Sequence, residues 1–266
     1  MNEAFAELRQ TLNQAPSTRV WEELLKTLEE WPEPQTFSLA LEYAVQHLRS
    51  WPSEFCILTI EALNSPLLPL AKGLRWASGL DGPGVGQALS EARELTWLTH
   101  LNLYHRWLGS RGVQFVALYS PHLASLTHLE LRYNEIDARG ASLLARSRYL
   151  DGLECLDLSG NPLRSVGIRK LCSVSFVQKL RILRLQDCSV DAAALSCLLD
   201  TEFPNLEELS LANGEFRQEE LVLFEERAFL WPRLKTLDLR YCLLSEEWKS
   251  RLKAMNWPST LETLRL

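Results

Sequence analysis

The feature that most constrains this chain is a spacing of leucines. In two stretches the order L-x-x-L-x-L-x-x-N-x-(L/I) occurs intact: Leu126, Leu129, Leu131, Asn134 and Ile136, then Leu153, Leu156, Leu158, Asn161 and Leu163. Looser copies open at Leu98, Leu180, Leu206, Leu234 and Leu261, so consecutive starts lie 28, 27, 27, 26, 28 and 27 residues apart. An irregular copy precedes them, with Ala71, Leu74, Trp76 and Leu80 at matching positions and a turn one residue short. A unit of this size cannot bury its own apolar face and gains a core only by stacking on its neighbours. The 266 residues therefore predict an array that grows in one dimension rather than a globule around one centre.

Within each unit the L-x-L core alternates with period two, which makes it a short strand with leucines inward and the intervening residues outward. Parallel strands need a crossover, and GASLLARSRYL (140–150) supplies a helical one whose Leu143, Leu144 and Leu150 pack back onto the strand leucines. Each buried leucine contributes roughly 1.5–3 kcal/mol, so a stack offsets an ordering cost that one unit cannot. Asn134 and Asn161 fall where the chain leaves the strand, and a buried amide there satisfies backbone groups of its own and the neighbouring turn. Cys188 and Cys242 occupy the same slot, and so does Gly214 with Asn213 displaced by one, so the ladder is expected to be incomplete. Phe203-Pro204, Trp231-Pro232 and Trp257-Pro258 precede three strands, where the aromatic plugs the gap behind the strand and proline fixes the turn. Helices are wider than strands, so stacking bends the array with the strands on the concave side.

This pattern resembles the leucine-rich repeat family, and within it the ribonuclease-inhibitor-like class. The repeat length and the helix starts Gly112-Val113, Gly140-Ala141 and Gly167-Ile168 carry the resemblance, which covers about residues 71 to 266. The phrase SPHLASLTHLEL (120–131) also looks like bacterial multi-repeat proteins of this class. The resemblance implies an α/β leucine-rich-repeat solenoid: a right-handed horseshoe with parallel strands on the concave face and helices on the convex one. It also implies protein–protein recognition through the concave face, without catalysis and without a stated partner.

Ahead of the repeats, three helices are expected. Residues 2–15 carry Phe5, Leu8 and Leu12 on one face; Pro16 ends that helix and Ser17 or Thr18 caps the next. The second carries Val20, Trp21, Leu24, Leu25, Leu28 and Trp31, and the third, over 35–50, turns Phe37, Leu41, Ala44, Val45 and Leu48 inward. SEFCILTIEALN (53–64) fits either a short helix or a strand. Residues 1–66 are read as an N-terminal α-helical cap on the bare face of the first repeat, with a separate docking or effector module as the alternative. Residues 67–266 are read as about seven repeats, the first irregular and the last half a repeat.

The net charge of −6 argues against a backbone-driven nucleic-acid binder, which needs clustered Lys and Arg. MNEAFAELRQ has neither the basic region nor the apolar run of a secretory signal, and no apolar stretch approaches the roughly 20 residues of a membrane span. The six cysteines form no C-x-x-C pair or disulfide-like cluster, which fits reduced thiols in a cytoplasmic protein. There is no G-x-S-x-G, phosphate-cradling glycine loop or H-E-x-x-H, so neither enzyme chemistry nor a cofactor is expected. One column invites a rival reading: His100, His128 and Cys155 fall at equivalent strand positions about 4.8 Å apart, and zinc takes such ligands. Rows on a curved sheet diverge, however, so the sequence predicts no metal site, and metal or Cys–His chemistry at this column stays the third reading.

The leading reading is a scaffold or adaptor that binds a protein on the concave face. Its candidate contacts are Asn102, Tyr104, His105, Glu130, Arg132, Tyr133, Asp157, Arg184, Asp187, Asp238, Arg240 and Tyr241, all at outward positions of the strands and turns. Tyr and Arg, the commonest interface anchors, gather at two ends, Tyr104/Arg132/Tyr133 and Arg240/Tyr241. A monomer is expected, with edge-to-edge dimerisation through the strand at 261–266 as the alternative.

Overall fold

The computed structural model describes residues 3–60, 63, 65–76, 81–215, 222–227 and 231–266. Three helices lead: α1 (Glu3–Leu12), α2 (Thr18–Glu29) and α3 (Pro34–Leu48). Ser17 caps α2, its hydroxyl accepting from the Val20 N–H at 3.3 Å. Strands and helices then alternate: β1 (Ile57–Ile60), β2 (Gly73–Trp76), α4 (Pro83–Glu91), β3 (His100–Asn102), α5 (Gly109–Leu118), β4 (His128–Glu130), α6 (Ala138–Ala145), β5 (Cys155–Asp157) and α7 (Arg164–Cys172). β6 (Ile182–Arg184), α8 (Ala192–Leu199), β7 (Glu208–Ser210), α9 (Val222–Arg227), β8 (Thr236–Asp238), α10 (Glu246–Ala254) and β9 (Thr263–Arg265) complete the order.

All nine strands described form one parallel sheet in chain order, each repeat pairing only with its neighbours. The register is that of the leucines: Leu74, Leu101, Leu129, Leu156, Leu183, Leu209, Leu237 and Leu264 stand side by side. With the return helices behind them they make one continuous core, into which Phe203 and Trp231 are fully sunk as the plugs expected from their positions. The fold is an α/β leucine-rich-repeat solenoid with an N-terminal helical stretch.

The sheet begins one strand before the irregular repeat. SEFCILTIEALN adopts the strand alternative at Ile57–Ile60, because the Trp76 stretch offers it a parallel partner, Leu58 opposite Leu74. Leu80, expected at a repeat position, lies outside the described residues. The leading helices have a core of their own, built from Leu8, Trp21, Leu24, Leu28, Ala44 and Leu48 and closed by Leu67 and Leu70. Ala40, Ala44 and Leu48 are the buried stripe of α3, while Phe37, Leu41 and Val45 only flank it. Trp21 Nε1 donates to the Ile57 carbonyl at 2.9 Å, and Lys72 Nζ donates to the Trp51 carbonyl at 2.6 Å, tying this core to the first strands.

Candidate functional site

The strands are only three residues long through most of the sheet, and what ends them also places the candidate contacts. Two residues beyond the last strand leucine, the backbone turns left-handed in six successive repeats: His105, Tyr133, Gly160, Asp187, Asn213 and Tyr241 have φ between 54° and 71°. A non-glycine residue there costs about 1–2 kcal/mol. The cost is met by hydrogen bonds between repeats: the N–H of His105 donates to the Arg132 carbonyl, Tyr133 to Ser159, Gly160 to Gln186, Asp187 to Ala212 and Asn213 to Arg240, at 2.7–3.1 Å. Tyr104, His105, Arg132, Tyr133, Asp187, Arg240 and Tyr241 therefore stand on a ladder of turns along the rim of the sheet, not on the strands.

Behind this rim lies the asparagine slot. Asn161 Oδ1 accepts from the N–H groups of Asn134 and Ile136, both at 2.9 Å, and Asn134 Oδ1 accepts from Arg106 and Leu108. Their amide nitrogens donate to the Leu131 and Leu158, and the Leu103 and Arg132, carbonyls. Cys188 and Cys242 keep only the donor half, their thiols meeting the Leu158 and Leu211 carbonyls at 3.1 and 3.3 Å.

The five strand contacts occupy one row, Asn102, Glu130, Asp157 and Arg184 on adjacent strands and Asp238 two strands further along it. Asp157 and Asp238 are not exposed: their side chains are 2% and 6% accessible. Each accepts from the N–H two residues on, Ser159 and Arg240, and each is flanked by two guanidiniums. Asp157 lies 3.9 Å from Arg132 and 3.8 Å from Arg184; Asp238 lies 2.6 Å from Arg240 and 3.8 Å from Arg265. Burial pushes the Asp238 carboxyl up, but the Arg240 side-chain and backbone hydrogen bonds and the two cationic neighbours outweigh it and hold the group below the usual carboxylate range. Both carboxylates are thus covered, and what they leave at the surface is the arginines they position. Arg184 is also held by Glu208 at 2.6 Å.

At one end of the rim the aromatic residues converge. The Arg132 guanidinium lies over the Tyr104 ring at 5.2 Å, Tyr104 meets Tyr133 edge to face at 5.8 Å, and His105 packs on Trp107 at 4.9 Å. Tyr104, Trp107 and Tyr133 remain 47%, 48% and 38% accessible. Trp107, left-handed like its neighbours, is a member of this cluster that the alternation of the strand residues does not reveal. Gly160 makes room for it: a Cβ there would come within 2.3 Å of the Tyr133 ring. Arg240 and Tyr241 stand four strands away from β4, about 19 Å at 4.8 Å per strand, so the two groups do not touch. Asp187 is bridged to Gln186 and Asn213 between them.

The opposite rim is a self-paired charge ladder. Arg181 bonds Glu207 at 2.8 Å, Lys235 bonds Glu207 at 2.7 Å, and Glu154 lies 3.7 Å from Arg181, around a basin of about 210 Å³. Next to it stands the histidine column. His100 and His128 are adjacent in register and stack at 4.0 Å, nearly parallel. Thr99 and Thr127 donate their hydroxyls to the Lys72 and Thr99 carbonyls, so their oxygens receive the Nδ1–H of His100 and His128 at 2.8 and 2.9 Å. Cys155 continues the row but is buried, and burial pushes its thiol up to about 12. Among the described residues no three His, Cys, Asp or Glu side chains are grouped to hold a metal ion, and no helix is long and apolar enough to cross a membrane.

A family model described as Leucine Rich repeat matches residues 122–145 and 153–172. Those two matches, set in a parallel sheet of nine described strands alternating with helices, are consistent with a leucine-rich-repeat protein. No curated protein matches the chain. The matched stretches span β4, α6, β5 and α7 and contain Arg132, Tyr133, Asn134, Asp157 and Asn161. The stretch with the cleanest repeat therefore also carries half of the aromatic–arginine cluster.

Proposed function

We propose that this protein is a non-catalytic recognition module that binds a protein partner on its concave strand-lined face. Leucine-rich repeats generally mediate protein–protein interaction. The observation that supports this face is the cluster of Tyr104, Arg132, Tyr133 and Trp107, large side chains left accessible on a backbone pinned by inter-repeat hydrogen bonds. Such anchors bury much area at little ordering cost, the usual property of interface hot spots. Arg132→Glu combined with Tyr133→Ala is expected to abolish partner capture while the chain still unfolds in one cooperative transition, lowered because Arg132 flanks the buried Asp157. Capture that survives both changes overturns the assignment.

The leading helices read best as a cap. Their core takes Leu67 and Leu70 from the start of the repeats, and Leu25 packs against both cores. A free-standing docking module would not need either contact.

A further inference from the structure

The charge ladder on the opposite rim is unevenly paired. Glu207 takes both cations by hydrogen bond, Arg181 at 2.8 Å on one oxygen and Lys235 at 2.7 Å on the other. Glu154 takes none: its one ionic contact among the described residues is Arg181 at 3.7 Å, beyond hydrogen-bonding distance, and its side chain is 43% accessible. Glu154 shares the basin with His128. The Thr127 hydroxyl donates to the Thr99 carbonyl, so its oxygen receives the Nδ1–H of His128, and a neutral ring protonated at Nδ1 is an acceptor at Nε2. That Nε2 has no hydrogen-bond partner among the described residues. Burial lowers the His128 pKa, so at neutral pH the ring stays uncharged and the acceptor stays open. His100, tied to Thr99 in the same way, stacks on the ring at 4.0 Å and fixes its plane. Ile182 adds an apolar lining.

We propose that this basin is a site for a guanidinium group, the head of an arginine side chain on a protein partner. Acceptors without donors call for a ligand that only donates, and the unmatched Glu154 carboxylate calls for a positive charge. A guanidinium supplies both in one plane: its fork can meet the two Glu154 oxygens while a remaining N–H meets His128 Nε2. A lysine ammonium brings the charge without the fork. An anion finds no partner here, because Arg181 and Lys235 are already committed to Glu207. The aliphatic stem lies along Ile182. At about 210 Å³ the basin is smaller than the roughly 300–1,000 Å³ of a small-molecule pocket, so it fits one side chain. The basin and the aromatic–arginine cluster stand on opposite rims of one sheet, so a partner lying across the strands reaches both; this last step alone rests on the recognition reading of the concave face.

The test titrates the full chain at neutral pH with N-acetylarginine amide and follows the ring nitrogens of isotope-labelled histidines by nuclear magnetic resonance. The His128 Nε2 signal should move saturably, while that of His122, whose Nε2 is held by the Leu89 carbonyl, should not. N-acetyllysine amide should bind several-fold more weakly, and N-acetylglutamine amide should not bind. Glu154→Gln should weaken the arginine probe about tenfold, and since Glu154 makes no hydrogen bond the variant should fold as the parent does. Arg132→Glu/Tyr133→Ala should leave the probe's affinity unchanged, so failure of this site and failure of the aromatic–arginine cluster are separate results. A His128 signal that does not move, a lysine or glutamine probe that binds as well as arginine, or parental affinity in Glu154→Gln would overturn the proposal. The three probes on the unmodified sequence decide the matter even where a variant fails to fold.

Discussion

Replacing Asn161 by alanine tests the physical basis of the turns that carry the proposed recognition face. The Asn161 side chain is fully buried and makes four short hydrogen bonds: two accepted from the Asn134 and Ile136 N–H groups at 2.9 Å, and two donated to the Leu131 and Leu158 carbonyls at 2.8 and 2.7 Å. An unsatisfied buried group costs about 1–3 kcal/mol. With both N–H groups orphaned and partial relief at the carbonyls, Asn161→Ala should destabilise the fold by about 4 kcal/mol. Asn161→Cys is the internal control, because Cys188 shows that a thiol in this slot still donates to the preceding repeat. It should cost about half as much, since only the acceptor half is lost. Urea unfolding followed by far-ultraviolet circular dichroism reads the difference: a midpoint lower by about 1 M for alanine and about half that for cysteine, with the slope unchanged. An alanine variant within about 0.3 M of the parent, or a cysteine variant as weak as alanine, refutes the view that the amide ladder pins these turns.

Three further outcomes follow from the geometry. Burial, reinforced by the His128 charge, pushes His100 from 6.5 down to about 4, and burial lowers His128 as well. Both depressed groups favour the neutral form in the fold, so their contribution is complete above pH 6.5 and is lost as pH falls toward 4. Urea midpoints over that window should drop more steeply for the parent than for His100→Gln/His128→Gln; parallel curves contradict this. Gly160→Ala forces a Cβ onto the Tyr133 ring at a backbone φ of 71°, so it should lower the urea midpoint by the equivalent of at least 1 kcal/mol and weaken partner capture. An alanine variant with parental stability and capture would show that the ring is not seated there. Residues 1–66 expressed alone should lack a cooperative unfolding transition, because Leu67 and Leu70 complete their core; a folded, cooperative fragment would favour an independent module.

The leucine period made the sheet, its register and the asparagine slot legible, because each is a direct consequence of which residues must be inward. The apolar run at 53–64 was not decidable from pattern alone: only the presence of β2 as a parallel partner selects the strand. The left-handed turn was hidden for a different reason. Its six positions hold His, Tyr, Gly, Asp, Asn and Tyr, and only some of these advertise positive φ. Alternation therefore extends the strands through Tyr104 and Arg132, when the chain has already turned. Alternation likewise marks Asp157, Asp238 and Cys155 as outward, but neighbouring side chains cover them. Trp107 carries no periodic signal, and only the stacking with His105 brings it to the cluster.

The central claim is that the aromatic–arginine cluster on the concave rim is where a protein partner binds. It is tested most directly by immobilising three forms of the full chain and comparing what each retains from a lysate of the source organism. The forms are the parent, Arg132→Glu/Tyr133→Ala, and Arg169→Glu on the exposed surface of α7. The prediction is a partner retained equally by the parent and the α7 variant and lost from the rim variant, with all three unfolding cooperatively well above the assay temperature. Equal retention by the rim variant, or loss only on changing Arg169, would contradict it.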